Sequence, residues 1–278
     1  MQFKRIIARL DIKSDQLVKG IHLEGLKKLG APWHYTKYYA DSGIDEIFYQ
    51  DAVASLYGRN SLFDIVQKTA DNIFIPMAVG GGIRTADDVS KLLQIGADKV
   101  VINSAAIENP SLIVDLCSTF GSSTISISID CKKLSNGEYV AFTDNGRNNS
   151  GLDVASWAQQ VESLGAGEII LTSIDQDGTA NGFEVEVAKM IRSSVNIPLV
   201  CSGGAGKLEH LSDVLAFSDG VSIASVLHYE HFSPEFVDNK HELSSFNLEQ
   251  EDYQFAGDKL TVPMIKQFLQ SNNIPVRI

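Results

Sequence analysis

Short apolar runs alternate with helix-length amphipathic segments along most of this chain, and that alternation sets the expected architecture. Residues 5–11, RIIARLD, read as a strand with Arg5, Ile7, Arg9 and Asp11 on one parity and Ile6, Ala8 and Leu10 on the other. The polar stretch 12–31 reads as a long loop carrying Lys19-Gly20. A short helix is expected over 34–42, a strand over 45–51 and a helix over about 60–71. Residues 75–110 then read as a buried strand, a glycine turn, a helix, a second buried strand and a polar turn. Next come a helix near 109–119, a strand over 123–130 and a polar hairpin-like segment over 131–150. A helix over 153–164, a strand over 168–175 and a helix over 184–194 follow. Residues 197–226 repeat the strand, glycine turn, helix and strand of 75–110 more weakly.

Eight strand–helix units therefore end near residue 226. Their strands are short, rich in Ile and Val and apolar on both faces, as parallel strands covered by helices are. This predicts a closed (β/α)8 TIM barrel. A doubly wound open sheet is the rival, but its G-x-G-x-x-G fingerprint is absent. An internal repeat supports closure. The second glycine-turn copy begins at 197 against 75, an offset of 122, and Gly43-Ile44-Asp45-Glu46 is echoed at that offset by Gly165-Ala166-Gly167-Glu168. Asp11, ending the first strand, is echoed by Asp130 at 119, and Asp51, ending the second, by Asp175 at 124. Two similar half-barrels of four units close naturally. The expected organisation is one barrel domain over 1–278, with a polar insertion at about 229–260 before a last helix over 261–273. Pro263 sits in that helix's first turn, where proline is tolerated.

Composition narrows the function. The net charge of −12 argues against a nucleic-acid partner, which would call for clustered Lys and Arg. No run of about eighteen apolar residues predicts a membrane span. The N-terminal MQFKRIIARLD is too short and too charged for a signal peptide, so a cytoplasmic location is expected. Cys117, Cys131 and Cys201 form no C-x-x-C pair, and His228-Tyr229-Glu230-His231 lacks a neighbouring ligand cluster. Neither a metal nor another cofactor is expected.

Active sites in such barrels lie at the C-terminal ends of the strands. Four carboxylates fall there: Asp11, Asp51, Asp130 and Asp175. Asp11 and Asp130 belong to opposite strands and would face each other across the mouth, an arrangement suited to general acid–base work on a ligand between them. Helix capping is the alternative for any one of them, but it does not explain the symmetric pair. Glycine turns followed by helices offer backbone N–H groups to phosphate. One turn, Gly80-Gly81-Gly82 with Asn103-Ser104, lies in the first half; the other, Gly203-Gly204 with Ala224-Ser225, lies in the second. Together they suggest a ligand with two phosphates. Asp175-Gln176-Asp177-Gly178-Thr179 is either a ligand contact or a turn, and Lys19 either a phosphate ligand or a solvated side chain. Arg5, Glu46, Lys99 and Glu168 begin four strands at the opposite end, and spacing alone reads them as exposed strand-start charges.

Several motifs in register resemble the cyclase subunit of imidazole glycerol phosphate synthase over about residues 1–228. They are K-R-I-I-x-x-L-D, V-K-G, G-I-D-E, G-G-G-I-R, G-A-D-K-V-x-I-N-S, S-I-D, G-A-G-E-I-x-L-T-S-I-D-x-D-G-T and S-G-G-A-G. The resemblance implies a (β/α)8 barrel that receives ammonia from a glutaminase partner. It cleaves and cyclises a bis-phosphorylated ribonucleotide to imidazole glycerol phosphate and an aminoimidazole carboxamide ribonucleotide. It implies Asp11 and Asp130 as the acid–base pair. Gly82, Asn103 and Ser104 match one phosphate site, and Gly204, Ala224 and Ser225 the other. Thr172 and Asp177 match substrate contacts, and Lys19 the mobile-loop lysine. Arg5, Glu46, Lys99 and Glu168 match a ring that gates ammonia entry, against the reading from spacing.

The departures are specific. Arg9 stands where the family usually has a small residue, and its parity aims it into the barrel, where it would pair with Asp11, hold it ionised and narrow the ammonia path. Segments 21–40, 51–62 and 229–260 also differ from the usual pattern. These changes resemble a branch of the family associated with bacterial surface-polysaccharide genes. There the barrel and its glutaminase supply ammonia to a separate sugar amidotransferase, and imidazole formation need not persist. A metabolite-binding scaffold is a third reading, which the retained carboxylates and ring disfavour.

Overall fold

The computed structural model describes residues 3–53, 62–237 and 255–277. The first half runs β1 (Arg5–Lys13), β2 (Gln16–Ile21), β3 (Glu24–Gly30), α1 (Pro32–Asp41), β4 (Glu46–Asp51), α2 (Phe63–Ala70), β5 (Met77–Gly80), α3 (Ala86–Gln94), β6 (Lys99–Ile102), α4 (Ser104–Glu108) and α5 (Ser111–Phe120). The second runs β7 (Ile125–Lys133), β8 (Tyr139–Thr143), β9 (Asn148–Asp153), α6 (Val154–Ser163), β10 (Glu168–Ser173), α7 (Val185–Ser194), β11 (Leu199–Ser202), α8 (Leu208–Leu215), β12 (Gly220–Ile223), α9 (Ser225–His231) and α10 (Val262–Ser271). Most of the 229–260 insertion and of the 51–62 segment lies outside the described residues.

Eight parallel strands, in the order β10-β11-β12-β1-β4-β5-β6-β7, close on themselves where β7 pairs with β10. This is the (β/α)8 barrel expected from the alternation. The parity of β1 holds. Ile6, Ala8 and Leu10 face outward into the apolar layer between sheet and helices, with Trp157 among its largest members. Ile7 faces inward and meets Phe48, Ala78, Val101, Ile170 and Val200, one from each of six strands, in a separate layer on the barrel axis. Local signals start the helices. Thr85 caps α3 in a reciprocal box with Asp88, Asp153 caps α6 through Ser156 N–H, and Thr261 caps α10 ahead of Pro263.

The stretch 12–31 is not a loop. β1 runs on to Lys13 and turns into the antiparallel hairpin β2–β3. Its two turn residues, His22 and Leu23, both have positive φ (54° and 63°), the conformation of a two-residue hairpin turn without the usual Asn-Gly signature. Leu23 is held there by burial against Val140, Phe142 and Ile174. The hairpin-like segment 131–150 is β8 with its neighbours, an antiparallel extension of β7. The two half-barrels thus each carry a hairpin after their first strand, and the hairpins meet over the mouth. Asp175 falls beyond the end of β10, where it accepts the Lys133 N–H at 2.8 Å, so it does not match the place of Asp51 within β4.

His228, the first histidine of the H-Y-E-H motif, is fully buried on α9. Its Nε2 lies 2.8 Å from the Arg9 carbonyl oxygen and its Nδ1 2.7 Å from the Tyr39 hydroxyl. A carbonyl only accepts, so Nε2 carries the proton and Nδ1 accepts from Tyr39. The ring pins β1 between α1 and α9. Burial pushes His228 down to about 3, with Lys19 adding to the effect and Asp11 opposing it. A histidine depressed below its unfolded value contributes stability above that value, near 6.5, and loses it as pH falls toward the folded one. Lowering the pH from 7 to 5 is therefore expected to cost about 2 kcal/mol through His228. Urea unfolding of wild type and His228→Gln at both pH values checks this; the variant should lose that part of the pH slope.

Candidate active site

Inward-facing residues of β1 mark the levels of the barrel. At the base, Arg5 Nη1 meets Glu46 Oε2 at 2.9 Å, and its other terminal nitrogen pairs with Glu168. Lys99 Nζ lies 3.1 Å from Glu46 and 3.5 Å from Glu168. Two cations and two anions close into a ring across the axis. Glu46 and Glu168 are buried, which corrects the reading of exposed strand-start charges. Burial raises the Glu46 carboxyl, with Lys99 opposing. Above the ring lies the apolar layer of Ile7 and its partners, and above that comes Arg9.

Arg9 is 4% exposed and crosses the barrel. Its Nε donates to Asp11 Oδ1 at 2.8 Å, its Nη1 donates to Thr172 Oγ1 on β10 at 3.0 Å and reaches Ser202 Oγ on β11 at 3.5 Å. The guanidinium carbon stands 5.6 Å from the centroid of the Phe48 ring. Lys19, brought in by the hairpin, donates to Asp11 Oδ2 at 3.2 Å and to both oxygens of Asp177, at 2.9 and 2.8 Å. Arg9, Asp11, Lys19 and Asp177 form one buried chain of alternating charge. Burial alone would raise the Asp11 carboxyl, but Arg9 and then Lys19 outweigh it and hold it down at about 2.

Asp130 lies within β7, opposite β1, where the strand leaves the barrel to pair with β8. Its Oδ2 accepts from Asn103 Nδ2 at 2.9 Å and its Oδ1 from Ser128 Oγ at 3.2 Å. Burial raises its carboxyl, with Arg9 opposing. Asn103 also donates to the Phe142 carbonyl, which fixes its amide orientation and leaves a buried Oδ1 with no donor facing it among the described residues.

The two glycine turns flank this centre. Gly81, Gly82, Asn103 and Ser104 share a cavity of ≈ 60 Å³ with Arg9 and Asp130. Gly203, Gly204, Ala224 and Ser225 line a separate one of ≈ 20 Å³ with Lys19 and Asp177. Every site residue singled out from the sequence therefore falls on the barrel axis or at its mouth. Thr172, expected at a ligand, accepts from Arg9, and Asp177, also expected there, accepts from Lys19. Asp51 accepts the Val53 N–H at 2.9 Å within its own turn. Ser128 and Ser202 were not anticipated. Parity could have found Ser128, which sits two residues before Asp130 as Arg9 sits before Asp11. Among the described residues no group of His, Cys, Asp and Glu side chains is arranged to hold a metal ion, and no helix is long and apolar enough to cross a membrane.

A strand-end carboxylate pair between two glycine turns, in a closed parallel barrel, can be compared with known proteins. The family model described as histidine biosynthesis protein matches residues 5–233. The chain belongs to this family. It is 54% identical over 208 residues to the imidazole glycerol phosphate synthase subunit HisF of Legionella pneumophila, covering 75% of this chain and 98% of that protein. The subunit of the same name from Sulfurisphaera tokodaii is 47% identical, covering 82% of this chain and 91% of its own. That of Hydrogenobaculum sp. is 41% identical across the whole of both chains.

The second glycine turn has no room for a side chain. Gly204 has φ +104°, and a Cβ there would stand 1.9 Å from the Gly182 carbonyl oxygen. Gly204→Ala is expected to destabilise the fold by roughly 2 kcal/mol or more. A thermal melt checks this, and an unchanged Tm would mean that the turn relaxes without strain.

Proposed function

We propose that the chain is the cyclase subunit of an imidazole glycerol phosphate synthase. Ammonia delivered by a glutaminase partner attacks a bis-phosphorylated ribonucleotide. Cleavage and ring closure then give imidazole glycerol phosphate and an aminoimidazole carboxamide ribonucleotide. The observation that carries this reading is the placement of Asp11 and Asp130 on opposite barrel strands between two glycine turns. The relatives named above all carry the synthase name, which favours the cyclase over the glycan-amidation alternative.

In this reading Gly82, Asn103 and Ser104 take one phosphate of the substrate. Gly204, Ala224 and Ser225 take the other, through backbone N–H groups and the serine hydroxyls. The reacting centre then lies between Asp11 and Asp130, where positioned carboxylates can relay protons. Lys19 leaves its ion pairs with Asp11 and Asp177 to meet a substrate phosphate. Thr172 and Asp177 line the path between the two ends. The glutaminase docks on the face of the barrel that carries Arg5, Glu46, Lys99 and Glu168, and this ring gates the entry of ammonia. A ring of four paired charges suits a gate because it opens by exchanging partners rather than by exposing an isolated ion.

Purified protein supplied with ammonium salt is expected to consume the ribonucleotide. Asp130→Asn should lower kcat by about a hundredfold or more, the scale of lost acid–base catalysis. No turnover by folded wild type would refute the reading. Arg5→Ala is expected to spare ammonium-driven turnover while uncoupling it from glutamine hydrolysis in the complex. Equal loss of both activities would remove the gating role from the ring.

A further inference from the structure

We infer that Arg9 is a positioning residue that makes the two strand-end aspartates unequal, fixing Asp11 as a standing carboxylate and leaving Asp130 to exchange a proton with the substrate. The inference rests on the cyclase reading above. Its structural basis is a broken symmetry. Asp11 and Asp130 occupy matching places in the two half-barrels, each with an inward-facing residue two positions earlier on its strand. In β1 that residue is Arg9; in β7 it is Ser128. A guanidinium therefore engages one carboxylate, at 2.8 Å, where a hydroxyl engages the other, at 3.2 Å.

The surroundings amplify the difference. Both oxygens of Asp11 accept from cations, Oδ1 from Arg9 and Oδ2 from Lys19, with Asp177 beyond Lys19 and the neutral His228 behind. Both oxygens of Asp130 accept from neutral groups, Asn103 and Ser128. Among the charged groups around Asp130, Arg9 favours its ionised form and Asp11 opposes it, and Asp51, Arg84, Glu108 and Asp144 share its cavity. When Lys19 moves to a phosphate, Arg9 remains on Asp11. Thr172 on β10 and Ser202 on β11 hold the guanidinium, so it keeps its place without Lys19. A carboxylate paired in this way resists protonation and acts through its charge. A buried carboxylate with only neutral donors can take a proton and return it. In the reaction, the ammonia nitrogen forms two C–N bonds: one to a carbonyl carbon, whose oxygen leaves as water, and one to the carbon from which the amine departs. At that second carbon a proton leaves the nitrogen as the new C–N bond forms, and one must reach the departing amine as the old C–N bond breaks. Asp130 takes the first and supplies the second, ending the cycle ionised.

The test is a carboxyl-carbon NMR titration of the full chain with labelled aspartate, the two signals assigned through Asp11→Asn and Asp130→Asn. In wild type Asp130 is expected to titrate above Asp11. Arg9→Met should raise the Asp11 midpoint by about one pH unit or more, a tenfold change in proton affinity, and Arg9→Lys should largely restore it. The acid limb of the wild-type kcat/KM profile should follow the Asp130 midpoint. The inference is overturned if Asp130 titrates below Asp11 in wild type, if Arg9→Met leaves Asp11 unmoved, or if the acid limb follows Asp11. The order of the two wild-type midpoints decides the matter even if Arg9→Met does not fold. The titration reads Arg9 without substrate, so its failure is separate from a failure of the wild type to turn over the ribonucleotide.

Discussion

Closure of the sheet between β7 and β10 is the constraint on which the rest depends. An open sheet has two faces that helices or solvent can cover. A closed one sends every second side chain of its strands to the axis, where only other side chains can meet it. Successive inward residues of one strand are roughly 7 Å apart along it, so β1 places Arg5, Ile7, Arg9 and Asp11 at successive levels. The levels differ in chemistry. A paired charge ring lies below, an apolar layer follows, and above it sit a buried guanidinium and then the carboxylates. The buried charges on the axis persist because polar or charged partners reach them. Breaking such a buried pair typically costs about 3–5 kcal/mol.

That dependence on several strands explains what could be read from the sequence. Strand–helix alternation, the half-barrel repeat and the β1 parity were legible because each is a local or evenly spaced pattern. They gave the barrel, the facing positions of Asp11 and Asp130, and the inward aim of Arg9. The basal ring was not legible from spacing. Arg5, Glu46, Lys99 and Glu168 begin four different strands, and nothing local distinguishes an inward charge there from an exposed one. Family resemblance brought them together, and the ion pairs in the structure accord with it. The β2–β3 hairpin was missed for a different reason. Its turn is made by His22 and Leu23 in a conformation that ordinarily calls for Asn or Gly. What stabilises it is burial of Leu23 against Val140 and Phe142, more than a hundred residues away in sequence.

The two-fold repeat also conceals the main chemical difference between the halves. Matched glycine turns, matched aspartates and matched hairpins make the mouth look symmetric, yet Arg9 has Ser128 as its counterpart. One guanidinium is enough to give the two carboxylates different environments. Fold symmetry therefore supplies the placement of the two acids, while a single departure from it sets how each can behave.

On the proposed function, the layering also dictates the charge state of what crosses the barrel. Between the basal ring and Arg9 the axis is lined by Ile7, Phe48, Ala78, Val101, Ile170 and Val200. An ammonium ion there would lose its hydration with no acceptor in return, a cost that a neutral ammonia molecule largely escapes. Arg9 at the top of that layer adds like-charge repulsion against ammonium and none against ammonia. The apolar layer and the guanidinium above it thus act in the same direction, and both favour the unprotonated nucleophile that the chemistry at the mouth requires.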